Sequence, residues 1–175
     1  GGVGRVSARV HPVGSCPVSA GEHLRGAGDR PGRVMRMAKT AYRHMHCSLG
    51  RRPPEAGGLL LGPIGCTLVT HFHFDDSAVC TGLTYTPNHI ALGRLMKERW
   101  LPAGLDMKGA AHSHPSGLAR LSHGDLAYIA RLLTANPDMD EFLAPIILPD
   151  SFRICPFIVD RRDPTVGHAA VLELI

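Results

Sequence analysis

Two histidines and an aspartate within one short segment have the types and the spacing of metal ligands. Residues 112–125 span fourteen positions that read HSHP, then six further residues, then SHGD. On an extended backbone the side chains of His112 and His114 project from the same face, so both imidazoles can reach one ion. Two neutral imidazoles and the Asp125 carboxylate make up the ligand set that catalytic zinc prefers, with a fourth position left for water.

A second carboxylate, Glu55, has a context that suits a general base. It precedes the glycine pair Gly57-Gly58 and the apolar run Leu59–Leu61, and such a run predicts a strand that is buried on both faces. Glycines lack side chains, so backbone or a ligand can approach closely there. Glu55 is therefore the candidate that accepts a proton from the water and passes it to a leaving amine.

The segment after the histidines predicts the start of a helix that aims a carboxylate at them. Ser122 is a preferred N-cap residue, and Asp125 follows it at the third helical position. Both side chains then leave the N-terminal end of one helix, which extends to about Ala135. The positive end of the helix dipole favours the anionic ligand, and the Ser122 hydroxyl could donate a hydrogen bond to a developing oxyanion.

The remaining hydrophobic patterns predict an α/β protein with a single mixed β-sheet flanked by helices. Residues 1–32 are rich in Gly, Arg, Ser and Pro, and we interpret them as a flexible N-terminal extension or linker to a domain of residues 33–175. Further helices are predicted over residues 33–48 and 86–100, and further strands over residues 66–74, 107–113, 143–148, 152–159 and 169–174.

Composition and charge argue against several classes of protein. The net charge is only +4 and no run of five Lys or Arg residues occurs, so no nucleic-acid partner is expected. The five cysteines are odd in number and form no CxxC pair, which indicates a reducing compartment, and we expect a cytoplasmic protein. No apolar stretch is long enough to cross a bilayer, so no membrane association is expected.

These residues resemble the JAMM motif of the JAB/MPN metalloprotease family. Residues 112–125 match the pattern H-[ST]-H-P-x6-S-x-x-D without a gap, and Glu55 with its glycine pair matches the upstream glutamate segment. The similarity covers about residues 33–160. It implies a mixed β-sheet wrapped by helices, an architecture related to that of cytidine deaminase.

The resemblance also implies a site and an activity. One zinc ion would be bound by His112, His114 and Asp125, with Glu55 as general acid/base and Ser122 as oxyanion donor. Family members cleave peptide or isopeptide bonds after the Gly-Gly tail of ubiquitin or a ubiquitin-like protein, and prokaryotic members process ubiquitin-like or sulfur-carrier proteins. The short chain lacks the long insertions of eukaryotic deubiquitinases, which favours a compact prokaryotic type. The residues that bind the substrate are left unassigned.

Other interpretations of the same residues stay open. A RadC-like protein also carries an HxHPSG segment, which residues 112–117 satisfy, although the Glu55 segment fits the JAB pattern better. A non-catalytic scaffold of the same fold is a third possibility. The PCxxC of cytidine deaminases and the HExxH of thermolysin-type enzymes are both absent. His71 and His73 form a second HxH pair, which we interpret as half-buried strand residues.

Overall fold

A mixed β-sheet with three α-helices is the framework of the part of the chain that the structure describes. The computed structural model describes residues 32–81, 84–115 and 117–175. In chain order, its main elements are β1 (Arg33–Met37), α1 (Lys39–Leu49), β2 (Gly57–Pro63), β3 (His71–Phe74), β4 (Val79–Thr81), β5 (Thr84–Thr86), α2 (His89–Leu95), β6 (Leu105–Ser113), α3 (His123–Ala135), β7 (Glu141–Leu143), β8 (Ile146–Leu148), β9 (Arg153–Cys155), β10 (Phe157–Asp160) and β11 (Asp163–Leu174). Helix α2 continues directly into a π-helical turn, Met96–Trp100, and a 3₁₀ turn, Leu101–Ala103.

The strand order of the sheet is β1-β11-β10-β7-β6-β2-β3. Strand β6 pairs antiparallel with β2 on one side and parallel with β7 and then β8 on the other, and β9 pairs with β8. Strands β4 and β5 form a separate two-stranded hairpin. Parallel and antiparallel pairs occur in one sheet, which confirms the predicted α/β class with a mixed sheet.

Strand β2, which lies between β6 and the edge strand β3, is buried on both faces, as its apolar run predicts. Leu60 faces the core that α1 covers, whereas Leu59 and Leu61 pack on the opposite face against α2 and Trp100. All three leucines are at most 5 % exposed. Helix α3 covers a third apolar cluster, which contains Ile129, Leu133, Phe142 and Val159.

The predicted helix over residues 33–48 is wrong in its first third. Residues 33–37 form strand β1, and α1 starts only at Lys39. Strand β1 pairs parallel with β11 at the other end of the chain, a contact that no local pattern reveals. In hindsight the pattern changes period: the buried residues alternate in the strand and then recur every fourth position in the helix, as Met35, Met37, Ala41, Met45 and Leu49.

Prolines divide two of the predicted strands. The stretch 143–148 contains Pro145 and becomes the last residue of β7 and the whole of β8, while the stretch 152–159 contains Pro156 and becomes β9 and most of β10. Proline has no backbone N–H to donate, so it interrupts a ladder of hydrogen bonds. The strand predicted over residues 66–74 is shorter, since only its last four residues form β3.

Residues 1–31 lie outside the described residues, so the predicted extension and the domain boundary stay predictions. Over the described part of the chain, no helix combines the length and the apolar character that crossing a membrane requires.

Gly58 allows strands β2 and β3 to approach each other, and replacing it should destabilise the fold. A Cβ at Gly58 would lie 2.2 Å from the backbone oxygen of His73. We expect Gly58→Ala to lower the free energy of unfolding by about 1–3 kcal/mol, because the strands must move apart. Denaturant titration measures the change. Gly93→Ala in α2 is the matched control: apart from neighbouring residues and the backbone of its own helix, no atom lies within 4 Å of the added Cβ. This variant should be neutral or stabilising, and an equal loss in both variants would contradict the explanation.

Candidate metal centre

The ends of two neighbouring strands bring the HSHP segment next to Glu55. Strands β2 and β6 are antiparallel, and Gly57 at the start of β2 pairs with His112 at the end of β6. Glu55, two residues before Gly57, therefore lies beside the imidazoles. His112 and His114 are 8 % and 5 % exposed, and their Nε2 atoms lie 2.7 Å apart.

Helix α3 brings the fourth predicted residue, Asp125, to the same point. Its Oδ1 lies 3.3 Å from Nε2 of His112 and its Oδ2 lies 3.4 Å from Nε2 of His114. The predicted N-cap is confirmed as a reciprocal pair: the Asp125 amide donates to the Ser122 hydroxyl at 3.1 Å, and the Ser122 amide donates to the Asp125 carboxylate at 2.6 Å. The cap fixes the direction in which Asp125 points.

This donor set can hold a metal ion. Each imidazole Nε2 lies 3.3 or 3.4 Å from its own oxygen of the Asp125 carboxylate, which matches the ~3.3 Å between ligands in a tetrahedral site with bonds of ~2.0 Å, and the two Nε2 atoms lie closer together, at 2.7 Å. Donor atoms of Glu55, His112 and His114 also lie within 4.8 Å of one another. Nδ1 of His114 lies 2.9 Å from the Leu118 carbonyl oxygen, so a proton on Nδ1 would leave the Nε2 lone pair facing the other donors.

The charges of the site are strongly coupled. Burial alone would raise the pKa of Asp125, but His112, His114 and Ser122 hold it well below its ordinary value, so the carboxylate stays ionised. Burial lowers the pKa of His114, whereas Asp125 and the Leu118 carbonyl raise it more, and the net shift is upward. An ion would compete with protons for these same lone pairs.

Glu55 differs from Asp125 in its electrostatic environment. Burial raises the pKa of Glu55 above its ordinary value, against the opposing influence of His114 and His112. A raised pKa brings a carboxyl group closer to the pH range in which a general acid–base group can both accept and release a proton. The two carboxyl groups of the site therefore differ. The lowered pKa of Asp125 suits a ligand that stays ionised, and the raised pKa of Glu55 suits a group that carries a proton.

Ser113, between the two histidines, is a residue that sequence analysis missed. It is fully buried, its hydroxyl accepts a hydrogen bond from the Ala56 amide at 3.0 Å, and its amide donates to the Ala56 carbonyl at 2.8 Å. Ser113 thereby ties the residue next to Glu55 to the strand that carries the imidazoles. The sequence contained a signal for this residue. In a strand the middle residue of an HxH must point to the face opposite the two histidines, so Ser113 could have been predicted to point away from the ion.

One recess lies beside the site, and a larger cleft lies away from it. A recess of about 370 Å³ beside it is lined by His114 and by residues 118 and 120–123. A larger cleft of about 1060 Å³ involves the other end of β6, at residues 106–108, and contains none of the predicted site residues.

The second histidine pair lies apart from the site. His71 is exposed and contacts Thr70, and the ring of His73 packs edge-on against Trp100. Neither residue joins a metal-binding cluster within the described ranges.

A mixed sheet whose end carries a His-His-Asp cluster defines the class of fold, and comparison with known proteins gives the family. The chain belongs to the prokaryotic homologs of the JAB domain, whose family model matches residues 36–157. The resemblance drawn from residues 112–125 and Glu55 is thus confirmed at the level of the family.

Comparison with a solved structure supports the fold. The chain is similar to the solution structure of protein DSY2949 from Desulfitobacterium hafniense, with a TM-score of 0.59 and 19 % identity over 81 % of this chain and 92 % of that one. It also matches AF2198, a JAB1/MPN domain protein from Archaeoglobus fulgidus, with a TM-score of 0.45 and 19 % identity over 81 % and 99 % of the two chains. No curated protein sequence matches this chain.

Proposed function

We propose that this protein is a zinc-dependent peptidase that hydrolyses the peptide or isopeptide bond after the C-terminal Gly-Gly tail of a ubiquitin-like or sulfur-carrier protein. The observation that carries the proposal is the convergence of His112, His114 and Asp125 on one point with Glu55 beside it. Membership in the JAB family supports a hydrolytic reaction at such a point.

His112, His114 and Asp125 are the residues that would hold the ion, one per chain. Two imidazole nitrogens and one carboxylate suit zinc in a catalytic site, because the fourth position stays open. A bound zinc ion supplies Lewis acidity, which polarises the carbonyl to be cleaved and lowers the pKa of a water molecule.

Glu55 and Ser122 would move and donate the protons of the reaction. Glu55 takes a proton from the attacking water while the water oxygen bonds to the carbonyl carbon. It returns that proton to the amine nitrogen as the C–N bond breaks. The Ser122 hydroxyl donates to the carbonyl oxygen as negative charge develops there. Its oxygen already accepts the Asp125 amide, which leaves its own hydrogen for this donation.

The burial of the site supports a slender substrate. Both histidine residues are more than nine-tenths buried, so a substrate carbonyl can reach their side chains only if the peptide chain that carries it is slender. A Gly-Gly tail has no side chains, and an extended tail can lie along a strand edge. A tail of this kind is what the proposed partner proteins present.

The proposal is tested by cleavage of defined substrates. Zinc-loaded protein is incubated with ubiquitin, with other ubiquitin-like proteins and with sulfur-carrier proteins, each extended beyond Gly-Gly by a peptide or an isopeptide-linked lysine peptide. Mass spectrometry should find cleavage after the second glycine, and a chelator should abolish it. Matched substrates with Val-Val in place of Gly-Gly should resist. Retained zinc without cleavage of any substrate would contradict the proposal and favour a non-catalytic scaffold.

Replacing Ser122 should separate its two roles. We expect Ser122→Ala to lower kcat by about a hundred- to a thousandfold through loss of the oxyanion donor, and to lower the free energy of unfolding by ~1 kcal/mol through loss of the cap. Ser122→Thr keeps the hydroxyl and should restore most of both. Steady-state kinetics and denaturant titration measure the two effects. A Ser122→Ala variant with the cap penalty and full kcat would remove Ser122 from the reaction.

A further inference from the structure

A buried carboxylate, that of Asp75, directly follows β3 and lies next to the start of β2. Asp75 is 3 % exposed. Its carboxylate accepts hydrogen bonds from the Ser77 hydroxyl at 2.9 Å, the Asn88 amide at 3.0 Å and the Tyr85 hydroxyl at 3.4 Å. It thus joins the end of β3, the β4–β5 hairpin and the residue that caps α2. A buried carboxylate persists when donors surround it, as they do here.

The ring that Asp75 holds in place packs against the start of β2. A Cβ at Gly57 would lie 2.5 Å from Cε1 and 2.6 Å from Cζ of Tyr85, so the ring occupies the space that a side chain at residue 57 would need. On the backbone side, the Asp75 amide donates to the Gly57 carbonyl at 3.0 Å. Asp75 and Tyr85 therefore hold Gly57 from two directions.

The opposite side of the same segment is held by β6. The Ser113 hydroxyl and amide bind the amide and carbonyl of Ala56. Glu55 is the next residue toward the N-terminus, so its backbone enters the site from a segment fixed by Ser113 on one side and by Tyr85 with Asp75 on the other. None of these three side chains belongs to the predicted ligand set.

We propose that Asp75 and Tyr85 are positioning residues that hold the segment Ala56-Gly57, and through it Glu55, over the metal centre. The inference rests on the proposed role of Glu55 as proton carrier. The Tyr85 ring packs against Gly57 and limits its movement. Asp75 binds the Tyr85 hydroxyl through its carboxylate and the Gly57 carbonyl through its amide, so it fixes both the ring and the start of β2. Neither residue touches the reacting atoms.

The size of the expected effect follows from the geometry of proton transfer. A displacement of about 1 Å at a reacting group can cost on the order of a hundredfold in rate. Tyr85→Ala removes the ring and lets the segment move, so kcat should fall by about ten- to a hundredfold while KM changes less than about threefold. Tyr85→Phe keeps the ring beside Gly57 but loses the hydroxyl that binds Asp75, so its kcat should lie between those of the parent and Tyr85→Ala.

The experiment compares variants by kinetics and by hydrogen exchange of the zinc-loaded protein. Tyr85→Ala and Asp75→Asn should lower kcat with zinc content unchanged, and should speed amide exchange in residues 55–58 by tenfold or more. Tyr85→Leu, which keeps apolar bulk without a ring, replaces the alanine variant if that variant does not fold. Arg161→Ala is the stability control, because Arg161 binds the Met139 and Asn136 carbonyls and lines the cleft at the other end of β6.

The outcomes decide between positioning and mere stability. If Tyr85→Ala and Arg161→Ala lower kcat equally at equal loss of stability, or if exchange in residues 55–58 is unchanged, the proposal is overturned. If kcat is unchanged in Asp75→Asn, the positioning role assigned to Asp75 is wrong. If the parent cleaves no Gly-Gly substrate, the proposed function fails, and hydrogen exchange alone then decides whether the Tyr85 ring holds the segment.

Discussion

Replacing Glu55 with glutamine is expected to abolish hydrolysis and to leave bound zinc in place. Glutamine has the same shape but can neither accept the proton of the attacking water nor return it to the leaving amine. The loss should be at least about a hundred- to ten-thousandfold in kcat, the usual contribution of a positioned acid–base group. The proposed ligands His112, His114 and Asp125 contact one another directly, so the ion should stay bound.

Initial rates on a Gly-Gly substrate and elemental analysis of zinc measure the two parts of this prediction. Glu98→Gln is the matched control, since Glu98 forms an exposed ion pair with Arg94 on the surface of the α2 region and should tolerate the same chemical change. Cleavage by Glu55→Gln at the rate of the parent would show that Glu55 is misassigned. Loss of zinc in this variant would instead make Glu55 a ligand.

His114→Ala is expected to lose zinc, and with it all activity. The substitution removes one of three proposed ligands and leaves Asp125 with a single imidazole partner. Even the loss of a partner outside the ligand set typically lowers metal affinity by about 10- to 100-fold, so the loss of a ligand should exceed that. Because a metal that binds only the folded state stabilises it, added zinc should raise the Tm of the parent and not that of His114→Ala.

Zinc stoichiometry after dialysis and Tm with and without zinc test this prediction. His71→Ala is the control, because His71 is an exposed strand residue that contacts Thr70 and should not affect the ion. Unchanged zinc in His114→Ala would refute the ligand set. Loss of zinc in His71→Ala would place the ion at the second histidine pair.

Local patterns predicted the parts of the fold that depend on neighbouring residues. The cap at Ser122, the helix after it and the doubly buried run Leu59–Leu61 are all confirmed. Each depends on chemistry within one turn or one strand: a hydroxyl that caps an amide, or apolar residues that leave no face for water. These elements carry the candidate site, which is why the site could be proposed before the fold was known.

Long-range pairing decided the parts that were missed. Residues 33–37 have a pattern that is compatible with a helix, and only the parallel partner β11 makes them a strand. The roles of Asp75 and Tyr85 have the same origin. Nothing adjacent to Tyr85 in the chain indicates that its ring will fill the space beside Gly57.

The sequence by itself determined which side chains could bind a metal and that His112, His114 and Asp125 could reach one point, because they lie close together in the chain. The sequence also named Glu55 as a candidate, but only the tertiary structure places it beside these residues and shows what its segment contacts. That arrangement depends on the pairing of β2 with β6 and on the hairpin packed against Gly57. Such contacts between distant residues follow from the order of strands in the sheet, which the whole core sets and no short pattern encodes.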